Sequence, residues 1–326
     1  MYSVIIPVYL NQESLPELVD QLNEIDRTIH ERYGIQLEAL FVVDGSPDDS
    51  HATLEELLPQ ARFSSKLLLH ARNFGSFVAI RTGLQAGTGP YYGMIAADLQ
   101  EPPDLLVSFL TALVSGNCDI VIGVRQTRAD SRTSLFWSSL FWRLYRTLVV
   151  SEIPPGGVDL FGCNKQVRNE LLQLEEANSS LIGLVFWLGF RRTEVPYQRR
   201  ARKHGKSAWT LRKRLRYLVD SIFAFTSLPI RLVTLIGVVG VAISAAFGIF
   251  VLVARMLGAI AVPGYATMII MTMFFGALNL TAIGVVGAYV YRGYENTKRR
   301  PLAIVRHARS FGGSSETKNP QTLSSA

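Results

Sequence analysis

The chain has little that crosslinks or solvates it. Its 326 residues include two cysteines, Cys118 and Cys163, in apolar surroundings and without C-x-x-C spacing. That excludes a disulfide framework and points to two reduced, buried thiols in a cytosolic compartment. Charge is scarce too: Asp, Glu, Lys and Arg make up 18% against 48% hydrophobic residues, and the mean hydropathy is positive. Such a composition excludes a disordered protein and is too apolar for an ordinary soluble domain. The start, Tyr2-Ser3-Val4-Ile5-Ile6-Pro7-Val8, lacks a basic n-region, so no signal peptide is expected. G-x-G-x-x-G and G-x-x-x-x-G-K-[ST] are also missing, which removes a dinucleotide fingerprint and a P-loop.

What charge there is divides unevenly. Residues 1–190 carry 13 Lys and Arg against 22 Asp and Glu, a net −9. Residues 191–216 carry 11 against 1, and residues 217–326 carry 9 against 3. The overall +7 is therefore no nucleic-acid signature, and no nucleic-acid partner is expected. Its cations border the most hydrophobic part of the chain, as at a membrane surface rich in anionic lipid.

Leu232 to Ala254 is 23 residues without a charge, about 35 Å of helix against a hydrocarbon core of about 30 Å. A second charge-free run, Met256 to Tyr291, is broken by Pro263-Gly264, leaving Ala266–Tyr291 as a second span. Neither run has a polar face, so a two-helix hairpin is expected across residues 229–292. Arg212, Lys213, Arg214, Arg216 and Arg231 precede it, and Arg292, Lys298, Arg299, Arg300, Arg306 and Arg309 follow. The connection holds only Arg255. The positive-inside rule then puts both ends in the cytoplasm. Residues 210–228 mix cations with Leu, Tyr, Ile and Phe, which suits an interfacial helix. Residues 293–326 read as a basic tail, disordered from Ser310. Gly237, Gly240, Gly248, Gly284 and Gly287 permit close helix packing between protomers, so a homo-oligomer, a tetramer among the options, is expected.

Ahead of the hairpin, residues 1–209 alternate in type. Val4–Tyr9, Gln36–Val43, Lys66–His70, Tyr92–Ala97 and Ile120–Val124 read as strands. Ser14–Arg32, His51–Leu58, Phe77–Ala86 and Pro103–Ser115 read as helices. This predicts an α/β domain with a mainly parallel sheet flanked by helices. Ligands of such sheets bind outside the carboxyl ends of the strands. Asp44, Arg72-Asn73, Asp98 and Arg125 fall at four of those ends. Asp98 and Gln100 offer hard oxygen ligands suited to Mg²⁺ or Mn²⁺.

Six motifs occur in order: Ile6-Pro7-Val8-Tyr9, Val43-Asp44-Gly45-Ser46-Pro47-Asp48-Asp49-Ser50, Arg72-Asn73-Phe74-Gly75, Asp98-Leu99-Gln100-Glu101-Pro102-Pro103, Gly156-Gly157-Val158-Asp159, and Arg202-Lys203-His204-Gly205-Lys206-Ser207-Ala208-Trp209. With them the chain resembles family 2 glycosyltransferases of the dolichol-phosphate-mannose-synthase-like group, and within it the bacterial polyprenyl-phosphate (bactoprenol) glucosyltransferases. The resemblance runs from residue 3 to about residue 300 and implies a GT-A-like fold with a nucleotide-sugar donor.

By that resemblance Asp44 meets the nucleoside base, with Pro7, Tyr9, Arg72 and Asn73 shaping the same pocket. Asp98 and Gln100 hold the metal, while Arg202, Lys206 and Ser207 donate to the donor diphosphate. Asp159 lies near the reacting sugar and orients it, so Asp98 and Asp159 form the catalytic pair. Arg125 and Arg128 are the acceptor-phosphate cations. Where the family often has an Asp two residues before Asp98, this chain has Ala96, which leaves one carboxylate. The expected reaction moves a hexose, glucose from UDP-glucose first, onto a polyprenyl phosphate such as undecaprenyl phosphate. Other donors (GDP-mannose, UDP-N-acetylglucosamine, a UDP-aminoarabinose derivative) and a non-catalytic nucleotide-sugar-binding membrane subunit stay open on sequence alone. A processive synthase is disfavoured, because it would need more spans.

Overall fold

The structure, a computed structural model, describes residues 1–127, 142–154, 157–176, 179–200, 211–257 and 264–312. Eight strands form one sheet in the order β7-β5-β6-β4-β1-β2-β3-β8. They are β1 (Tyr2–Val8), β2 (Leu37–Val43), β3 (Ser64–His70), β4 (Tyr91–Met94), β5 (Ile120–Thr127), β6 (Val158–Asn164), β7 (Arg192–Gln198) and β8 (Val305–Phe311). β1 pairs in parallel with β2 and β4, β2 with β3, and β5 with β7. β6 runs antiparallel to β4 and β5, and β8 antiparallel to β3. The expected mainly parallel α/β sheet is thus present.

Its centre follows from composition. Every residue of β2 is buried, as expected of a strand covered on both faces. Helix α1 (Leu15–Tyr33) buries Leu15, Leu18, Leu22, Ile25 and Ile29, one stripe at helical spacing. It stops at Gly34, in the left-handed region at φ 64. α2 (Ser50–Leu57), α3 (Ser76–Ala86) and α4 (Asp104–Val114) complete the alternation. One polar pin crosses this apolar core: Ser3 Oγ donates to Glu38 Oε2 at 2.6 Å, and Lys66 Nζ lies 3.1 Å from Glu38 Oε1. Burial opposes ionisation of Glu38, and the donors from Ser3, Thr88 and Lys66 outweigh it, so its carboxyl titrates below the usual value.

Three strands depart from the expected pattern. β6, β7 and β8 are not anticipated by periodicity. β7 (RTEVPYQ) leaves most residues partly or fully exposed, and β8 (VRHARSF) buries only Phe311. β8 corrects the reading of a basic tail disordered from Ser310. Residues Ser65 to His70 of β3 pair with Phe311 back to Val305, so Ser310 is strand. Edge strands keep charges on their open side, and here those charges mimic a solvated tail. Residues 313–326 lie outside the described residues.

Two helices, α5 (Lys165–Gln173) and α6 (Leu181–Trp187), precede α7 (Leu211–Phe225), which is more than an interfacial helix. Its Leu218 and Ser221 are buried, and its Tyr217 ring stacks on Tyr145 at 5.7 Å and tilts onto Phe77 at 5.6 Å. Ser180 bonds both phenols. A Cβ on Gly183 of α6 would lie 2.5 Å from the Phe225 ring, so this crossing needs a glycine. Leu215 and Val219 stay exposed on the other face.

α8 (Leu228–Met256) and α9 (Tyr265–Thr297) follow. Leu228–Val251 and Met271–Thr297 are long and apolar enough to cross a membrane, and the most apolar stretch of each has no buried residue. An apolar surface of that size suits an apolar medium. α9 returns to α7 through Arg292, which bonds Asp220 Oδ1 at 2.7 Å, and through Tyr289 against Phe223 at 5.2 Å.

Candidate active site

β1 lies between β4 and β2 in the sheet, so the loop after β1 is flanked by the loops carrying Asp98 and Asp44. Asp44 is buried at 3% exposure. Its Oδ1 accepts from Phe74 N at 2.8 Å and its Oδ2 from Gly75 N at 2.7 Å. His70 Nδ1 lies 2.8 Å from Oδ1, with Nε2 3.0 Å from Thr82 Oγ1. Asp44 therefore anchors the Arg72–Gly75 loop. Gly45 (φ 59) makes the approach possible, since a Cβ there would lie 2.3 Å from the Arg72 carbonyl carbon.

A second carboxylate ties the outer loops. Asp48 accepts from Ser46 Oγ at 2.6 Å, Ser50 Oγ at 2.9 Å and Gln12 N at 3.2 Å. Burial raises its pKa and these donors together outweigh that, so it titrates below the usual value. Ser46 Oγ also accepts from Leu10 N at 2.8 Å, and Asn11 Oδ1 accepts from Tyr9 N at 3.1 Å. Pro7 and Tyr9 are half-buried, while Arg72 and Asn73 are exposed with the Arg72 guanidinium 4.1 Å from the Phe74 ring centroid. Pro7, Tyr9, Asp44, Arg72 and Asn73 thus lie at the neighbouring carboxyl ends of β1, β2 and β3 and on the loops that follow, which form one rim of the site.

On the other side, β4 ends at Met94, short of the Ala97 expected, and the chain turns away. Leu99 sits at φ 59, a strained region for a bulky side chain. Asp98, half-buried, accepts from Gln100 N at 3.2 Å. Arg199, just past β7, donates from Nη2 to Gln100 Oε1 at 2.5 Å, and Arg200 N donates to Gln100 O at 2.8 Å. Asp98 suits a hard dication. Gln100 Oε1 suits one only when the guanidinium of Arg199 releases it.

Sequence reasoning named neither Glu101 nor Arg199 as a site residue, and the fold brings them together. Glu101 is buried, its Oε1 3.8 Å from Arg199 Nε, and its Oε2 has no hydrogen-bond partner among the described residues. Burial first, then the nearby Asp98, pushes its carboxyl up to about 7, against the pull of Arg199 and Arg125. Arg125 donates from Nε to the Tyr197 hydroxyl at 3.3 Å. Burial raises that phenol above its ordinary value. The only advance signals were Glu101 inside the Asp98 motif and Arg199 inside the basic stretch.

Asp159 is the second residue of β6, and its side chain lies outside the described part. Arg128, Arg202, Lys206 and Ser207 lie outside the described residues altogether. The site therefore joins the Asp44 loops to an Asp98, Glu101, Arg125, Arg199 cluster. It sits at the carboxyl edge of the parallel strands.

The chain is similar to known glycosyltransferases. The family model described as Glycosyl transferase family 2 matches residues 3–174. An uncharacterized glycosyltransferase of Synechocystis sp., sll0501, is 31% identical over 93% of this chain and 94% of its own. The prophage bactoprenol glucosyl transferase homolog of Escherichia coli K12 is 26% identical, covering 94% of this chain and 99% of its own. The bactoprenol glucosyl transferase of Shigella phage SfX is 27% identical, with 93% and 98% covered.

Proposed function

The chain belongs to glycosyl transferase family 2, and from that premise we propose that it transfers a hexose, glucose from UDP-glucose, to the phosphate of undecaprenol or a similar polyprenol. The observation that carries the proposal is the docking of α7. One helix packs through Tyr217, Leu218 and Ser221 into the sugar-transfer domain and leads directly into two apolar helices. A water-soluble donor site held at a membrane surface is what a lipid phosphate acceptor requires. The relatives named for bactoprenol glucosyl transfer match nearly the whole chain, hairpin included, which supports the same acceptor.

Asp44 and its clasped loops hold the nucleoside, with Tyr9 at the rim. Asp98 would hold Mg²⁺ or Mn²⁺, joined by Gln100 once Arg199 turns aside; when bound, the ion neutralises the diphosphate leaving group. Arg202, Lys206 and Ser207 donate to that diphosphate. Arg125 and Arg128 meet the acceptor phosphate, and Asp159 orients the sugar. A phosphate monoester is already anionic at neutral pH. Its oxygen attacks the anomeric carbon, the bond to the diphosphate breaks, and the nucleoside diphosphate leaves with inversion. No strong base is needed. The basic flanks support an inner-membrane protein with its catalytic domain and both ends cytoplasmic, close to anionic lipid. The glycines of the spans fit a homo-oligomer.

Ala96 in place of a second carboxylate favours one other reading, a nucleotide-sugar-binding membrane subunit without transfer. Radiolabelled sugar transfer from a panel of UDP- and GDP-sugars to polyprenyl phosphate, with and without EDTA, separates the two. Label is expected in the lipid from UDP-glucose. Nucleotide binding without transfer from any donor would establish the subunit reading instead.

A further inference from the structure

Away from that site, two donor groups of α2 meet a third, remote in sequence, at the edge of the sheet. His51 and Glu55 stand one turn apart on α2, so their spacing puts them on one face. His307 lies on β8, the strand formed after the apolar helices. One ligand atom from each residue lies within 4.8 Å of the other two. His51 Nδ1 is 3.8 Å from Glu55 Oε2, too long for a hydrogen bond, and the two imidazoles meet edge to face at 6.1 Å. His51 Nε2 is shielded from solvent with no hydrogen-bond partner among the described residues. Buried polar atoms are seldom left so.

We propose that His51, Glu55 and His307 bind a late first-row divalent cation of the Zn²⁺ type, at a site separate from Asp98. Two imidazoles and one carboxylate prefer Zn²⁺, Co²⁺ or Ni²⁺ over the hard Mg²⁺ and Ca²⁺. Three protein ligands leave a fourth position for water. Ligand atoms of a tetrahedral zinc site sit about 3.4 Å apart, so the spread here closes by small rotations of side chains that are not locked in a packed core. Arg309 is the competitor, with Nη1 3.4 Å from Glu55 Oε1. That pair is long and more than half exposed on the Arg side, which makes it a weak rival.

The consequence is a clasp. The cation would join α2 to the strand that returns from the hairpin, and β8 pairs with β3 up to His70, the partner of Asp44. An ion that binds the folded chain alone stabilises it by mass action.

The test uses the full chain in detergent, stripped with EDTA and dialysed, then titrated with Zn²⁺ by calorimetry and with Co²⁺ by visible absorption. One Zn²⁺ equivalent is expected, with a rise in melting temperature, a tetrahedral Co²⁺ spectrum and no displacement by excess Mg²⁺. His307→Ala changes an exposed side chain and should fold. It should weaken Zn²⁺ binding by about tenfold or more and abolish the rise, with Glu55→Gln acting in the same direction. Asp98→Ala should leave the Zn²⁺ equivalent in place. Absence of Zn²⁺ binding in the unaltered chain would overturn the proposal. So would equal binding in His307→Ala, or loss of the equivalent in Asp98→Ala.

Discussion

The two rims of the cleft are built on different terms. At the Asp44 rim the anchoring carboxylates are occupied: Asp44 by Phe74 N, Gly75 N and His70, and Asp48 by two serines and Gln12 N. At the opposite rim Glu101 keeps a buried oxygen with no hydrogen-bond partner among the described residues, and Arg199 spans Gln100 and Glu101. A buried polar group gains most when its partners are already in place, and is costly when they are not. The first rim is internally satisfied. The second holds charged groups whose bonding is incomplete among the described residues.

On that contrast, Asp44→Ala should act on stability before anything else. It strands two backbone donors and a buried histidine, with an expected loss of about 3–5 kcal/mol in denaturant unfolding. A loss no greater than that of an average surface change would mean the rim is not pre-built. Asp98→Asn should do the reverse, lowering transfer by about a hundredfold to a thousandfold while the melting temperature holds. A comparable fall in both would erase the distinction.

The pH response comes next. Glu101 titrates at about 7 in the folded chain against an ordinary 4.5. Below that ordinary value both states hold the proton, and above it the unfolded chain releases its proton first. Stability should therefore fall as pH rises from about 4.5 to about 7 and level off beyond, by about 3 kcal/mol in all. Glu101→Gln should lose the decline, which melting curves between pH 5 and 8 would read. The mildest effect belongs to Arg199→Lys, which keeps the charge and loses the fork that reaches Gln100 and Glu101 together. KM for the donor should rise about tenfold or less, as for one charged hydrogen bond, with stability unchanged.

The rims were also unequally legible. Asp44 and Asp98 were placed by pattern, because each closes an apolar run, Asp44 directly after β2 and Asp98 four residues beyond β4. Arg199 was one more cation of a basic stretch, and Glu101 one more residue of the Asp98 motif. Their meaning depends on β7 lying beside β5, a pairing that joins Ile120 to Arg192 and Arg125 to Tyr197 across some 70 residues. Arg72 and Asn73 were placed on the correct loop, but Asp44's grip on that loop through Phe74 and Gly75 was not visible in residue order.

Periodicity and charge placement were enough to settle the βα alternation, the acidic first part and the two apolar helices, because each depends on how neighbouring side chains partition between water, core and lipid. Edge strands β7 and β8 escaped that logic. Their pairing is made by backbone groups that every residue carries, and their exposed side chains are free to be basic. Strand pairing brought Arg199 to Gln100 and set His307 beside His51 and Glu55, and ring packing seated α7 on Phe77 and Tyr145. Contacts of that kind are decided by loop closure and packing over long separations, and no local pattern records them.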